Sequence, residues 1–162
     1  MTRHLVFLAF GTLVFGIDAF GVRPSAFGIA SEQPILATIE ALRVRAPKNG
    51  RFTLVLKVTP RAGIHIYAPP EDKYRPIALT IDPVPGVRVG KPRLPRSVVR
   101  TFEGEQVRVY EKPFSITVPV VLAREASPPL QIKGTVSYQA CDDLICYLPV
   151  SVPVAWTLTP ER

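Results

Sequence analysis

Apolar residues in this chain recur at every second position, in short runs that end at proline or glycine. A period of two sends alternate side chains to opposite faces of a strand, so each run buries one face and leaves the other in water. Phe52, Leu54, Leu56 and Val58 alternate with Thr53, Val55 and Lys57, and Pro60 closes the run. Ile77, Leu79 and Ile81 repeat the pattern up to Asp82-Pro83. A short piece at residues 107–109 precedes Phe114, Ile116, Val118 and Val120. Residues 135–140, and then Leu148, Val150, Val152, Val154, Trp156 and Leu158, complete the set. Turn-forming residues separate the runs: Lys48-Asn49-Gly50, Arg61-Ala62-Gly63, residues 83–86 and Ser127-Pro128-Pro129. The 18 prolines among 162 residues therefore read as punctuation between strands rather than as a sign of disorder. About eight short strands at this spacing predict one all-β domain, an antiparallel sandwich of immunoglobulin type. Residues 35–44, preceded by Pro34, also fit a helical pattern. They are assigned to a strand because a lone helix would have no partner.

Arg3 and His4 precede an apolar run at residues 5–17, too short to cross a bilayer and of the length of a signal-peptide core. Gly28-Ile29-Ala30 offers the better cleavage site, and Ile17-Asp18-Ala19 a second one. Residues 1–30 are thus expected to be a signal peptide and residues 31–162 the exported domain. No later segment reaches membrane-spanning length, so no transmembrane segment is expected. The formal charge is +7, but the lysines and arginines are scattered and lack interleaved aromatics, which argues against nucleic acid. The densest stretch, Arg88, Lys91, Arg93, Arg96 and Arg100, is broken by proline and reads as a solvated loop.

Cysteine use is the most informative feature. The chain has 2 cysteines, Cys141 and Cys146, and an even count in an exported chain predicts a disulfide. Such a bond would join the two sides of a tight hairpin and close a very short loop, worth only about 2 kcal/mol in chain entropy. A domain with an ordinary core hardly needs it, which points toward chemistry, although a static structural bond stays open. The phase of the hairpin is irregular. Cys146 is in phase with Leu148, Val150 and Val152, and Cys141 with Thr135, Ser137 and Gln139, so a regular ladder would set Val150 against Ser137. A one-residue bulge near Pro149 is expected to repair the register. Other chemistries lack their residues. Two cysteines and His65 fall short of a zinc site, and Met1 is the only methionine, which disfavours copper(I). There is no glycine-rich phosphate loop and no nucleophile elbow. No metal and no cofactor are expected.

The run Val136-Ser137-Tyr138-Gln139-Ala140-Cys141-Asp142-Asp143-Leu144-Ile145-Cys146-Tyr147-Leu148-Pro149 resembles the signature of the N-terminal periplasmic domain of the DsbD family of thiol–disulfide interchange proteins. Two further segments are similar to it. Gly63-Ile64-His65-Ile66-Tyr67 resembles the family strand beside the cysteine pair. Phe102-Glu103-Gly104, with Tyr110 and Val118-Pro119-Val120, resembles its cap-loop region. The resemblance covers roughly residues 35–158. It implies an immunoglobulin-like sandwich and a protein thiol–disulfide oxidoreductase that relays electrons by thiolate attack through mixed disulfides. It also implies that Cys141 and Cys146 are the redox pair, Phe102 the cap, and His65 and Tyr67 the lining. Implied partners are exported thioredoxin-like proteins and a membrane-embedded thiol reductant. That reductant is expected on a separate polypeptide, because nothing resembling the family's membrane or thioredoxin domains follows before Arg162. The domain itself is expected to act as a monomer. Some members, including the best-known one, carry one more residue between the cysteines, and the acidic residues before the cap in that member are here Arg100 and Thr101. Of the two cysteines, Cys146 is expected to be the one attacked, since Asp142 and Asp143 disfavour a thiolate at Cys141. The competing reading is an exported binding or scaffold module with a static disulfide, docking through a strand edge. On residue type alone, His65 on a strand reads as a hydrogen-bonded structural residue rather than as a thiol activator.

Overall fold

The computed structural model describes residues 35–160 apart from 103, 125 and 127; the expected signal peptide lies outside the described residues. The strands are β1 (Ala37–Ala41), β2 (Val44–Ala46), β3 (Arg51–Pro60), β4 (His65–Tyr67), β5 (Ala78–Ile81) and β6 (Val87–Val89). They continue with β7 (Val98–Phe102), β8 (Glu105–Tyr110), β9 (Phe114–Leu122), β10 (Leu130–Tyr138), β11 (Ala140–Cys141) and β12 (Val150–Pro160). No helix occurs among the described residues. Residues 35–44, expected to form one strand, instead hold β1 and the first residue of β2, which belong to different sheets.

Two sheets, ordered β1-β3-β9-β6 and β2-β12-β10-β5, form an immunoglobulin-like sandwich. Their pairings are antiparallel except for β2, which runs parallel to β12. The two-residue period sets the core. Leu54, Leu56 and Val58 of β3 and Ile116, Val118 and Val120 of β9 face Ile132 and Val136 of β10 and Trp156 and Leu158 of β12. Trp156 is fully buried and links the layers, its indole N–H donating to the Val55 carbonyl at 3.0 Å. That carbonyl also accepts the Leu42 N–H at 3.1 Å.

A third sheet, β11-β4-β8-β7, forms where the chain leaves β10. Tyr138 still pairs with Val150 of β12, but Ala140 and Cys141 pair with Ile66 and His65 of β4. Alternation then sorts the residues. Ile66, Tyr110 and Ala140 join the main core, while Tyr67, Val107, Val109 and Cys141 make a small separate cluster. The register between Tyr138 and Val150 is one residue out of step with the Cys141–Cys146 bridge. The extra residue lies within 147–149, so a bulge sits beside Pro149 and removes the conflict of phase.

Several local expectations are corrected. Among the described residues, twelve strands replace the eight or so read from the sequence. The basic stretch is not one solvated loop. Arg88 lies in β6, Arg93 forms a bridge with Thr117, and Arg100 lies in β7. Phe102 ends β7 rather than sitting in a loop. It pairs with Glu105, and Gly104 has the φ of 84° that a tight hairpin turn requires.

β5 passes close against β10 at Gly134, where a Cβ would collide with the Thr80 carbonyl oxygen. Gly134→Ala is expected to lower the unfolding free energy by about 1–3 kcal/mol, read by urea titration of Trp156 fluorescence. A change below about 0.5 kcal/mol would mean that β5 yields without cost.

Candidate functional site

Cys141 and Cys146 are joined in a disulfide with their Cα atoms 4.0 Å apart, closer than the spacing of an ordinary strand pair. The loop between them is organised by Asp142. Its Oδ1 accepts the N–H groups of Leu144 and Ile145, each at 2.8 Å, and its Oδ2 accepts the Tyr147 hydroxyl at 2.8 Å. The Asp142 N–H donates to the Ile145 carbonyl at 3.0 Å, closing the turn. These donors, Ile145 first, hold the Asp142 carboxyl below its usual value. The same bond pushes the Tyr147 hydroxyl up.

The two sulfurs differ in access. Cys141 is 1% exposed at the end of β11, whereas Cys146 is exposed on the returning chain. Around Cys146 the surface is apolar: Leu144, Ile145 and Leu148 are 91%, 56% and 70% exposed. Beneath the pair lies Tyr67 of β4, placed there because alternation turns His65 and Tyr67 away from the main core. Its hydroxyl is 3.2 Å from Cys141 Sγ and 3.5 Å from Cys146 Sγ, and since neither bonded sulfur carries hydrogen, the hydroxyl is the donor. Burial, and then the neighbouring Tyr74, push the Tyr67 hydroxyl well above its ordinary value, so it keeps its proton.

Two stacked pairs of rings flank the disulfide. Tyr74 lies on Tyr67 with centroids 4.2 Å apart, and Phe102 lies on His65 at 4.2 Å. His65 meets Tyr67 edge-on at 6.1 Å. These four rings and both cysteines line one open cavity of about 490 Å³. Phe102 also packs against the cluster of Tyr67, Val107, Val109 and Cys141, so the ring rests on His65 and on the buried side of the pair. The structure thus brings together Cys141, Cys146, Phe102, His65 and Tyr67. The His65 Nε2 is buried without a hydrogen-bond partner. Burial lowers its pKa, against the opposing pull of Glu111, Asp143 and Asp142.

Sequence reasoning missed Tyr74 and Gln139. Tyr74 could have been suspected as an aromatic between Pro69-Pro70 and Pro76. Gln139 gave no signal, because its role lies in contacts made by a strand crossing. Lys73 and Glu105, paired at 2.5 Å across the cavity mouth, were likewise missed. No group of residues able to hold a metal ion occurs among the described residues.

The lowered Asp142 value fixes the sign of a pH effect. A carboxyl whose folded pKa lies below its unfolded value stabilises the loop above the ordinary carboxylate range, and that contribution is lost as the pH falls through the lowered value. The amide resonances of Leu144 and Ile145 are expected to titrate together with a midpoint below about 3.9, and to stop doing so in Asp142→Ala. A midpoint at or above the ordinary value would refute the assignment of this carboxylate as their acceptor.

Comparison with known proteins bears on this site. The family model described as thiol:disulfide interchange protein DsbD, N-terminal, matches residues 32–155. The reduced N-terminal domain of DsbD from Neisseria meningitidis is similar in structure, with 16% identity, 75% of this chain and 85% of that chain covered, and a TM-score of 0.50. The N-terminal periplasmic domain of ScsB from Proteus mirabilis is also similar, with 13% identity, 75% and 46% covered, and a TM-score of 0.54. At these identities the structural likeness is one of fold. A search of curated proteins gives no match. With a family match across nearly all of the sandwich and a disulfide set between an exposed and a buried sulfur, the chain belongs to the DsbD N-terminal domain family of thiol:disulfide interchange proteins.

Proposed function

We propose that this domain works in the periplasm as a protein thiol–disulfide oxidoreductase, relaying electrons between a membrane-embedded thiol reductant and exported thioredoxin-like proteins through Cys141 and Cys146. The observation that carries this reading is the asymmetry of the pair: Cys146 is exposed among apolar side chains, while Cys141 is buried against the Tyr67 hydroxyl. A purely structural disulfide has no need of one open sulfur and one sheltered leaving group. The family match and the periplasmic location of the ScsB domain support the assignment.

The chemistry follows from access. An incoming thiolate reaches Cys146 Sγ and bonds to it, the disulfide breaks, and the electron pair of the broken bond moves to Cys141 Sγ. Tyr67, holding its proton, donates a hydrogen bond to the sulfur on which charge develops. Attack on the mixed disulfide by the partner's second thiolate releases Cys146 and leaves the dithiol reduced and the partner oxidised. The same steps reversed pass the electrons onward. Leu144, Ile145 and Leu148 form the apolar surface that a docking partner covers.

Trapping tests the assignment. Cys141→Ser and Cys146→Ser variants, each mixed with a thioredoxin-like partner that lacks its resolving cysteine and is activated as its thionitrobenzoate mixed disulfide, are expected to form a protein–protein disulfide mainly through the free Cys146, with thionitrobenzoate leaving. Adduct only through Cys141 would reverse the roles, and none through either would favour the static disulfide. Access gives a second test. Phe102→Ala removes the ring that covers His65 and packs on the Cys141 cluster, and is expected to speed reduction by dithiothreitol several-fold with unfolding midpoints nearly unchanged. An unaltered rate would exclude shielding by Phe102.

A further inference from the structure

His65 is the one buried polar or charged side chain among the described residues, 3% exposed, and its Nε2 is buried without a hydrogen-bond partner. An orphaned buried nitrogen calls for a physical account, and a redox role is one of the few available. The neighbours of the ring narrow the choice. His65 is the direct cross-strand partner of Cys141, so their side chains share one face of the third sheet. Phe102 stacks on one face of the imidazole, and Tyr67 meets it edge-on. Neither contact changes when electrons move. The sulfur of Cys141 does change: in the disulfide it is a weak acceptor, and on reduction it becomes a thiolate, a strong one.

We propose that His65 is the proton-holding partner of Cys141 in the reduced protein, so that opening the disulfide draws one proton onto the imidazole and keeps Cys141 as a thiolate. The proposal deepens the exchange function and rests on it. The step balances as follows. The incoming thiolate bonds to Cys146 Sγ, the sulfur–sulfur bond breaks, and its electron pair goes to Cys141 Sγ. A proton from water adds to the imidazole, and the imidazolium N–H donates to the new thiolate. In the reverse direction the Cys141 thiolate attacks Cys146 Sγ of the mixed disulfide. The partner's sulfur then leaves with the electron pair, and the imidazolium returns its proton to water.

The surrounding charges suit this exchange. Glu111, next to the end of β8, and Asp142 and Asp143 in the cysteine loop all favour a positive ring. Glu111 is engaged by Arg100, with contacts of 2.5 and 2.6 Å, and Asp142 by its own loop, so neither is free to take the proton itself. Tyr67, on the same strand, stays protonated. Lys73 and Glu105 neutralise one another at the cavity mouth. With the disulfide closed, burial outweighs the carboxylates and the ring is neutral near pH 7. One added negative charge beside it reverses that balance.

The test is to titrate the ring in wild-type protein. The sequence has 2 histidines, His4 and His65, so the imidazole resonances can be assigned and followed against pH in the oxidised and the dithiothreitol-reduced protein. The His65 midpoint is expected to rise on reduction by at least about one pH unit, a tenfold gain in proton affinity. The same midpoint in both states would overturn the proposal. A second measurement follows thiolate ultraviolet absorbance against pH in Cys146→Ser, whose only thiol is Cys141. Adding His65→Gln is expected to raise the thiolate midpoint and cut the thiolate fraction at pH 6 about tenfold, and an unchanged curve would again overturn it. Both readouts use a small reductant or none. A protein that shows the linkage but forms no mixed disulfide with thioredoxin-like partners would therefore sink the relay reading and leave the His65–Cys141 pair standing.

Discussion

Gln139 ties three stretches of chain together at the point where β10 ends. Its N–H donates to the Arg75 carbonyl at 3.0 Å, and its carbonyl accepts the Tyr67 N–H at 3.2 Å. Its side-chain oxygen accepts the Arg75 N–H at 3.1 Å, and its side-chain nitrogen donates to the Tyr147 carbonyl at 3.1 Å. One residue thus fixes β4, the segment carrying Tyr74, and the chain returning from the cysteine loop. The crossing carries Cys141 beyond β5, the strand that flanks β10 on that side, while Cys146 of the returning chain still bridges it. Cys141 is set against His65 instead, while the sandwich behind keeps its ladder. Without that crossing there would be a hairpin with a disulfide at its tip, and no aromatic floor beneath it.

The division of labour around the disulfide follows from energetics. A bond closing so short a loop removes little chain entropy, about 2 kcal/mol, and the fold has the Trp156 layer and the β3–β9 and β10–β12 ladders to hold it. Loop shape comes from Asp142, whose carboxylate collects two backbone N–H groups and a hydroxyl. The turn therefore needs no covalent help, and the sulfurs are free to part while the chain on either side stays in place. A dithiol that must open and close repeatedly requires that independence.

What could be read in advance depended on whether a strand buries one face. β3, β9, β10 and β12 do, and their alternation is plain in the order of residues. β7 does not: it is an edge strand with Val98 and Val99 47% and 49% exposed, so no period marks it. It exists because β8 pairs with it across the turn at Gly104. β6 and the bridge at Arg93 are likewise created by the edge of β9, and a proline-broken basic stretch conceals them. The irregular phase around the cysteines was legible because a shift of one residue inverts every side chain. The identity of the strand facing Cys141 was not written in that stretch, because it is set by a distant segment, residues 65–67. Family resemblance supplied it, and with it His65 and Tyr67.

The cap can move without disturbing the floor it covers. β8 is anchored by Val107 and Val109, 4% and 0% exposed, and by pairing with β4 through Ile66–Tyr110 and Tyr67–Val109. The tip of the hairpin has no such anchor. Phe102 is held by its stack on His65, and Glu105 by an ion pair to Lys73 whose side chains are 50% and 57% exposed. Exposed pairs of that kind are screened by water and salt and contribute little. Displacing the tip thus costs the packing of one ring, on His65 and on the Cys141 cluster, and a weak ion pair, whereas displacing β8 would cost the buried valines and a sheet ladder. Motion confined to the tip uncovers His65 and the Cys141 side of the disulfide and leaves Tyr67 in register beneath both sulfurs. Access can therefore change while the geometry that directs the electron pair to Cys141 does not.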